Sequence, residues 1–398
     1  MRILLICDRY PFPLTNGQNL RVFHLTRFLM QSSEIDLLSY GPGNVPPEVI
    51  PLFRKVYSVP PPRENLRETR PVHSPWKLLS PTAMIQHSER FRSELAAHLH
   101  RERYDLLWME GWETVVNLPP RLPLPFLADI IDDGVLEHWN ELCSSIGAMQ
   151  RIRMMKRLIQ NFLFERRYFS RADHCVTVSE RDARVLRRVT AAPVTVIHNG
   201  VDSEFFHPAE DSVEPATLVF EGSMEFRPNV DAARHLVEKI LPLVRRYHPE
   251  ARVLLVGRDP TPEVLQLRGD HVSVTGFVDD VRPYLGSGTV FVAPMRKGAG
   301  IKNKVLQAWA MEKPVVATPM AVGGLRAIDD NNVIIRRTSE AIADAVVKLL
   351  DRPDEQRRIG KAGRETVLAH YGWAQKAVEL NALMRSLVRT RDGNRRYK

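Results

Sequence analysis

Short apolar runs without polar alternation recur along this chain, and helical segments separate most of them. Examples are RILLIC at residues 2–7, TLVFEG at residues 217–222 and TVFVAP at residues 289–294. Strands that are apolar on both faces are typical of parallel sheets covered by helices on both sides. The sequence therefore predicts an α/β fold made of doubly wound, Rossmann-like parallel sheets.

These strand and helix patterns form two sets, and 398 residues exceed what one ordinary core supports. The first set ends with PVTVIHNG at residues 193–200 and the second begins at Thr217. The intervening segment is rich in Pro, Asp and Ser, as linkers are. We place the domain boundary at residue 208, which predicts one domain over 1–207 and another over 208–373.

Net charge and cysteine content indicate which kinds of binding partner and which cellular compartment to expect. The net charge of +9 favours acidic partners such as nucleotides, phosphates or anionic lipid, but no nucleic-acid-binding motif is present. Three widely separated cysteines argue against a disulfide framework or a zinc site and favour a reducing compartment. No apolar run approaches ~20 residues, and no secretory signal opens the chain. We therefore expect a cytoplasmic protein that binds no nucleic acid and no metal.

Ligands of open parallel sheets bind where strands end, so two such domains predict a site in the cleft between them. The segment RKGAGIKNKVLQAWAMEKPVVAT, residues 296–318, contains two glycines and several lysines just before an apolar helix. Gly298 and Gly300 permit close backbone approach, and Lys302 and Lys304 add positive charge near a helix N-terminus, which favours phosphate. The alternative is an ordinary strand-to-helix turn beside solvated lysines.

Five segments occur in a characteristic order: HNGVD, VFEGSMEFRPNVDAARHL, ARVLLVGRDP, VTGFVDDVRPYL and the VFVAP…PVVAT block. Together they resemble the family 4 (group 1) retaining glycosyltransferases of the GT-B fold. The N-terminal RYPFPLTNGQNLRVFHLTRFL is similar to a subgroup linked to exopolysaccharide biosynthesis. The resemblance implies two Rossmann-like domains facing across a cleft, with the last helix, 374–398, crossing back to the first domain.

The resemblance also implies a metal-independent hexosyltransferase that retains the anomeric configuration. Its donor would be a nucleotide-sugar, with UDP or GDP as the nucleotide, bound mainly by the C-terminal domain. Its acceptor would be a carbohydrate, a lipid-linked sugar or a small molecule, bound mainly by the N-terminal domain. No cofactor beyond the nucleotide-sugar is implied.

The implied donor contacts lie in loops that follow strands. Arg227 and Lys304 would also stabilise the leaving diphosphate and so count as catalytic. Each glycine has the alternative of a plain turn, Phe277 that of a core residue, and Arg227 that of a surface turn. The full set is Gly17, Gly222, Arg227, Gly276, Phe277, Val278, Gly298, Gly300, Ile301, Lys302, Lys304 and Gln307.

On the N-terminal side, Asp132 and Asp133 occupy positions where the family often has a histidine near the transferred sugar. A carboxylate there can orient the acceptor hydroxyl or accept its proton; the alternative is that an aspartate caps a helix. Arg21, His24 and Glu110 are further candidates for acceptor binding, although Arg21 is equally compatible with a solvated helix face.

The sequence departs from the family pattern at two pairs of positions. Ala299 and Gln307 stand where two glutamates are usual, and Ser223 and Pro228 where arginine and lysine are usual. Arg227 is the nearest cation to the second pair. Ala299 and Gln307 keep open the alternative of a scaffold that has lost turnover. A second alternative is a nucleotide-sugar epimerase or phosphorylase, which would have a similar two-domain fold.

One helical segment bears on location. QRIRMMKRLIQNFLFERRYFSR, residues 150–171, holds seven Arg or Lys and one Glu among apolar residues. A basic amphipathic helix of this kind is typical of anionic membrane surfaces, which would place the protein peripherally on the inner face of the membrane. The alternative is a helix packed on its own domain with a solvated basic face.

Overall fold

A computed structural model describes residues 1–14, 16–41, 50–61, 88–144, 147–208, 213–298 and 301–396. The chain divides into two compact units. The first unit contains Met1–Asn199 together with Trp373–Lys398, and the second contains Gly200–Gly372.

The described residues of the first unit form a seven-stranded sheet in the order β3-β2-β1-β4-β5-β6-β7, with parallel pairing throughout. Five α-helices lie in the described residues that precede the second unit. The strands are β1 (Arg2–Cys7), β2 (Glu34–Tyr40), β3 (Lys55–Val59), β4 (Leu106–Glu110), β5 (Phe126–Ile130), β6 (His174–Thr177) and β7 (Val194–Val196); the helices are α1 (Gly17–Leu29), α2 (Glu89–Arg101), α3 (Gly134–Ser144), α4 (Ala148–Tyr168) and α5 (Glu180–Val189).

Strand β1 shows why this sheet is covered on both faces. Successive side chains of a strand point to opposite sides. Ile3 and Leu5 accordingly pack into one buried cluster, and Leu4 and Ile6 into another. A strand with apolar residues at every position is stable only between two helical layers, which explains the continuous run RILLIC.

The described residues of the second unit form a six-stranded parallel sheet in the order β10-β9-β8-β11-β12-β13. A π-helical turn, Leu236–Ile240, joins its first two helices. The strands are β8 (Thr217–Glu221), β9 (Arg252–Val256), β10 (Val272–Val274), β11 (Val290–Ala293), β12 (Val315–Ala317) and β13 (Ile334–Ile335); the helices are α6 (Arg227–His235), α7 (Leu241–Val244), α8 (Pro262–Leu265), α9 (Arg282–Ser287), α10 (Asn303–Ala310), α11 (Ser339–Leu350) and α12 (Pro353–His370).

The last helix, α13 (Trp373–Arg396), is part of the first unit. Its Ala377, Leu380 and Met384 are buried in the cluster that contains α1 residues such as Val22 and Leu25. The division between the units lies before the boundary we placed at residue 208. Segment 200–207 belongs to the second unit because Val201 and Phe206 are buried in that unit's core.

The predicted fold class is confirmed, because both sheets are parallel and have helices packed on them. Within the ranges described above, no helix is both long enough and apolar enough to cross a bilayer.

Candidate functional site

Lys304 lies in the first turn of α10, and its ammonium group is held at the carboxyl end of β8. The Nζ atom donates hydrogen bonds to the Glu221 carbonyl oxygen at 2.5 Å and to Asn229 Oδ1 at 2.8 Å. It also lies 4.3 Å from the centroid of the Phe220 ring, within cation–π range. Only 8% of Lys304 is exposed. The alternative of a solvated surface lysine is therefore wrong.

Burial and neighbouring charge act against each other at this lysine. Burial lowers the pKa of Lys304 to about 8, the Glu221 carboxylate opposes that shift, and the positive charge of Lys302 adds to it. Burial raises the pKa of Glu221, and the charge of Lys304 lowers it. An anion bound beside Lys304 would favour its charged form, since opposite charges within a few ångströms stabilise each other.

Two glycines make the close packing around Lys304 sterically feasible. Gly222 has φ +151°, and a Cβ atom placed on it would lie 2.4 Å from Lys304 Nζ and 2.7 Å from Asn229 Nδ2. Gly257, φ +148°, follows β9, and a Cβ atom on it would lie 1.9 Å from the Gly222 carbonyl oxygen. In this structure the Lys304 and Asn229 side chains approach Gly222 closely, and the predicted approach of a donor stays a prediction.

Lys302 brings a second ammonium group to this region. It occupies the N-cap position of α10 and is also 8% exposed. A Cβ atom on Gly298 would lie 3.2 Å from Lys302 Nζ and 3.7 Å from Pro228 Cβ. The segment around Gly298 therefore lies against Lys302 and the start of α6.

The remaining donor candidates lie around this centre to different extents. Arg227 is exposed at the first residue of α6, and Gln307 is half-buried on α10. Ile301 packs partly buried against the core, while Gly300 and Ala299 lie outside the described residues. The structure thus brings Gly222, Gly298, Lys302 and Lys304 together.

The predicted nucleobase-side loop is adjacent to the same strand ends. Gly276, φ +76°, forms an isolated bridge with Gly257, the residue that packs on Gly222. Phe277 is 67% exposed, which decides against its interpretation as a core residue. Val278 packs against the core of the unit.

In the first unit, Arg21 is fully buried and is not a surface cation. Its guanidinium donates to Asp129 Oδ2, to the Ile197 carbonyl oxygen and to Asn199 Oδ1, each at 3.0 Å. Because Arg21 has no exposed surface, both expectations for it, contact with the acceptor and a solvated helix face, are wrong. The hydrogen bonds of this guanidinium connect α1 to β5 and to residues 197–199, which follow β7.

His24 and Gly17 also differ from what we expected. The His24 ring is buried and stacks on Trp373, with ring centroids 5.1 Å apart, so it contributes to packing between α1 and α13 rather than to an acceptor site. Gly17 is the first residue of α1 rather than a loop residue, because Asn16 Oδ1 accepts from the Asn19 N–H and caps the helix there.

Glu110 ends β4 and is fully buried next to Asp129. Burial and the Asp129 charge raise the pKa of Glu110 well above its ordinary value, and the Arg21 charge lowers it. Glu110 is therefore part of the same internal charge network as Arg21 and not an accessible acceptor ligand.

The two aspartates after β5 have different environments. Asp133 is buried, and its Oδ1 accepts from the Leu136 N–H at 2.7 Å, so the capping interpretation holds for this residue. Burial raises the pKa of Asp133 to about 7. Asp132 is exposed to solvent. Of the two, Asp132 has the geometry to meet a ligand.

Several residues of these sites were not predicted from the sequence. The Glu221 carbonyl oxygen and the Asn229 side chain accept hydrogen bonds from Lys304. In the first unit, the Asp182 charge raises the pKa of Asp133, and the Asp133 charge raises the pKa of Glu165. Glu165 carried one usable signal: it is the lone acid of α4 and shares a helical face with the buried Met154 and Asn161.

Two Rossmann-like units with strand-end sites define a protein of the GT-B class. The chain superposes on sucrose-phosphate synthase from Thermosynechococcus elongatus with a TM-score of 0.72 at 22% identity, covering 98% of this chain and 99% of that one. It superposes on Anabaena HepE in complex with UDP and glucose with a TM-score of 0.67 at 13% identity, covering 96% and 99%. At these identities the likeness establishes the fold.

Two family models then specify the class further. Residues 15–205 match Glycosyltransferase Family 4, and residues 215–352 match Glycosyl transferases group 1. The two glycosyltransferase models follow one another and together span most of the chain. A GDP-mannose-dependent α-(1-6)-phosphatidylinositol monomannoside mannosyltransferase of Mycobacterium tuberculosis is 29% identical over 219 residues, 49% of this chain and 56% of that relative. The alignment thus spans little more than half of the relative's length.

Proposed function

We propose that the chain transfers a hexosyl group from a nucleotide-sugar to a carbohydrate, lipid-linked or small-molecule acceptor. The transfer retains the anomeric configuration and uses no metal ion. The observation that carries this proposal is the pair of nearly buried ammonium groups, Lys302 and Lys304, beside the carboxyl end of β8. The matches to two glycosyltransferase family models support the same reaction class.

The charge balance of this pair favours an anionic ligand. Burying an ammonium group is costly unless opposite charge or hydrogen-bond acceptors compensate. The Glu221 carboxylate stabilises the charged form of Lys304, whereas the nearby positive charge of Lys302 disfavours it. The positive end of the helix dipole at the start of α10 adds further attraction for an anion. A diphosphate bound there would bring negative charge close to both ammonium groups.

The same groups account for the chemistry that we propose. As the bond to the sugar breaks, negative charge develops on the leaving diphosphate. Lys302 and Lys304 would stabilise that charge from within the unit, and Arg227 from the exposed start of α6. Gln307 would hydrogen-bond the ribose through its amide, which both donates and accepts.

For the acceptor, we assign the orienting role to Asp132. Asp132 is exposed after β5 and can contact a hydroxyl group, whereas Asp133 is committed to the α3 cap. The acceptor hydroxyl would attack from the face that the diphosphate leaves, which gives retention without a covalent enzyme intermediate.

The comparisons and the sequence guide the choice of donor and setting. One relative is named as GDP-mannose-dependent and one solved structure holds UDP and glucose, so we propose a GDP- or UDP-sugar. The N-terminal RYPFPL motif supports a role in exopolysaccharide or related glycoconjugate synthesis. The free cysteines Cys7, Cys143 and Cys175 support a cytoplasmic setting.

A thermal-shift panel of UDP, GDP, ADP and TDP with their sugars tests the donor site, because ligand binding raises the melting temperature. We expect one nucleotide to give the largest shift, Lys304→Ala and Lys302→Ala to abolish it, and Lys297→Ala to leave it unchanged. Lys297 is the matched control because it is an exposed lysine of the same loop. Circular dichroism identifies any variant that fails to fold.

Turnover assays with the best donor separate the rival functions. Sugar transfer to an added acceptor, undiminished by a chelator, supports the proposal. Epimerisation without acceptor, or sugar release that requires inorganic phosphate, would replace it with an epimerase or a phosphorylase. Nucleotide binding without product under any acceptor would assign a scaffold. Equal shifts for wild type and both lysine variants would refute the site.

A further inference from the structure

Helix α4 and the neighbouring α3 expose a row of large apolar side chains. Met149 is 71% and Ile152 66% exposed, values unusual for apolar residues of this size. We define the α4 stripe as the exposed apolar residues of this helix, which are Met149, Ile152, Met155, Ile159, Phe162 and Leu163. Trp139 on α3 is also exposed.

The α4 stripe is not the face by which α4 packs on its own unit. Met154, Asn161, Phe164 and Glu165 are the buried residues of this helix. At roughly 100° per residue, the stripe lies on the opposite side of the helix from those four. The alternative that the apolar residues of this segment pack inward while only a basic face is solvated is therefore wrong for the stripe.

Positive charge flanks the stripe. The exposed cations of α4 are Arg151, Arg153, Lys156, Arg157, Arg166 and Arg167. Within Ala148–Tyr168, all of which the structure describes, Glu165 is the one acidic residue, and it is buried. The outward surface of α4 is consequently both apolar and positively charged.

An open groove extends this surface towards α3. It has a volume of about 530 Å³ and is lined by Leu142 and Cys143 of α3 and by Arg151, Ile152 and Met155 of α4. Three of its five lining side chains are apolar, and Arg151 contributes the charge. The groove is thus continuous with the stripe.

We propose that the α4 stripe binds the surface of an anionic lipid bilayer. Residues 149–163 span roughly 20 Å along the helix, long enough to lie in the plane of a membrane interface. The apolar side chains would enter the boundary between headgroups and acyl chains, and the flanking cations would contact anionic headgroups. Because the cations surround the apolar row on a helix without an exposed acid, the charge pattern favours lipid over a neutral protein partner.

Vesicle binding of the full chain tests this proposal independently of catalysis. Flotation is measured with phosphatidylcholine vesicles and with vesicles that also contain phosphatidylglycerol. We expect binding to the anionic vesicles, on the order of tenfold weaker or absent with phosphatidylcholine alone, and weakened by added salt. Equal binding to both vesicle types, or no binding to either, would overturn the proposal.

Paired variants assign the binding to α4. Ile152→Glu with Ile159→Glu should reduce anionic-vesicle binding by about tenfold or more, whereas Val378→Glu with Leu368→Glu should not. Val378 and Leu368 are the matched controls because both are exposed apolar residues on helices. Wild-type binding by the α4 double variant would refute the assignment.

A charge-reversal pair tests the electrostatic part. Arg153→Glu with Lys156→Glu should lower binding to anionic vesicles, and Lys348→Glu with Lys361→Glu, exposed lysines of α11 and α12, should leave it unchanged. Circular dichroism confirms folding of each variant. If sedimentation shows a dimer that Ile152→Glu converts to a monomer, and vesicles are not bound, the stripe is an interface between two copies and the lipid proposal is wrong.

Discussion

Lys304 Nζ and Asn229 Oδ1 form a 2.8 Å hydrogen bond that joins the first turn of α10 to α6. Asn229 also donates from Nδ2 to the Ser223 carbonyl oxygen at 2.8 Å, so a single buried amide positions both the ammonium group and the loop after β8. The Asn229 amide oxygen thus provides the buried Lys304 ammonium group with a hydrogen-bond acceptor, which lowers the cost of burying that charge.

Asn229→Ala should therefore destabilise the second unit and weaken nucleotide binding together. Loss of one partner of a buried charged hydrogen bond costs about 1–3 kcal/mol. The measurement is urea unfolding beside nucleotide titration. Asn331→Ala, at an exposed asparagine of the same unit, is the control and should change neither quantity. Unchanged nucleotide affinity in Asn229→Ala would show that Lys304 does not depend on this bond.

Gly222→Ala tests the packing around the same ammonium group. A methyl group there would lie 2.4 Å from Lys304 Nζ, on a backbone with φ +151° that side chains rarely adopt. We expect a loss of about 2 kcal/mol or more in unfolding free energy and loss of the nucleotide-induced thermal shift. Gly269→Ala is the control, since a Cβ atom there meets no atom within 4 Å. Similar behaviour of the two variants would argue against tight packing at Gly222.

How much of this site the sequence predicted depends on the range of the interactions. Gly298, Lys302 and Lys304 belong to one segment, and the strand–loop–helix pattern of that segment was sufficient to predict their grouping. Glu221 and Asn229 contact Lys304 across 83 and 75 residues, respectively. No local pattern encodes such a contact, and these two residues were missed.

Charged residues in the first unit show the same limit. The helical pattern of α1 correctly predicted the helix, but Arg21 looked like a surface or ligand-binding cation. Its partner Asp129 lies 108 residues away on β5, so no local sequence pattern could predict this internal ion pair. The sheets themselves were predictable because apolar strand runs depend on local composition, and they were predicted correctly.

The lowered pKa of Lys304 makes two pH effects of opposite sign. The pKa of this lysine is lowered from its ordinary value of 10.5, which applies to the unfolded chain, to about 8 in the folded chain. Between these values the unfolded state holds more protons, so the unfolding free energy contributed by Lys304 rises with pH. That contribution is lost as the pH falls through about 8.

Nucleotide binding should change in the other direction, because a diphosphate needs the charged ammonium. We expect nucleotide affinity to fall as pH rises above about 8, by up to about tenfold per unit. Isothermal titration between pH 7 and 10 measures this in the wild type. Urea unfolding over the same range measures the stability effect, which Lys304→Met should lack. An affinity that stays constant over that range in the wild type would contradict a role for the Lys304 charge.

Asp133 gives a separate pH prediction in the first unit. Burial raises its pKa from 3.8 to about 7, the Leu136 N–H bond opposes the shift, and the Asp182 charge adds to it. Since the folded state binds the proton more tightly, this group's contribution to stability is complete below the unfolded pKa and is lost as pH rises through about 7. The neighbouring Glu165, whose pKa is also raised by burial and by Asp133, acts in the same direction.

Asp133→Asn should remove part of that pH dependence while preserving the helix cap, because asparagine caps helices about as well as aspartate. From pH 5 to pH 8 the melting temperature of the wild type should fall by roughly a few degrees more than that of the variant. Asp344→Asn, at an exposed position of α11, should keep the wild-type profile.

Transfer assays distinguish the roles of the two aspartates. Asp132→Asn should lower turnover and Asp133→Asn should not, because the Asp133 carboxylate is committed to the Leu136 N–H. If Asp133→Asn abolishes turnover while its melting profile matches the wild type, the cap is not the main role of this aspartate.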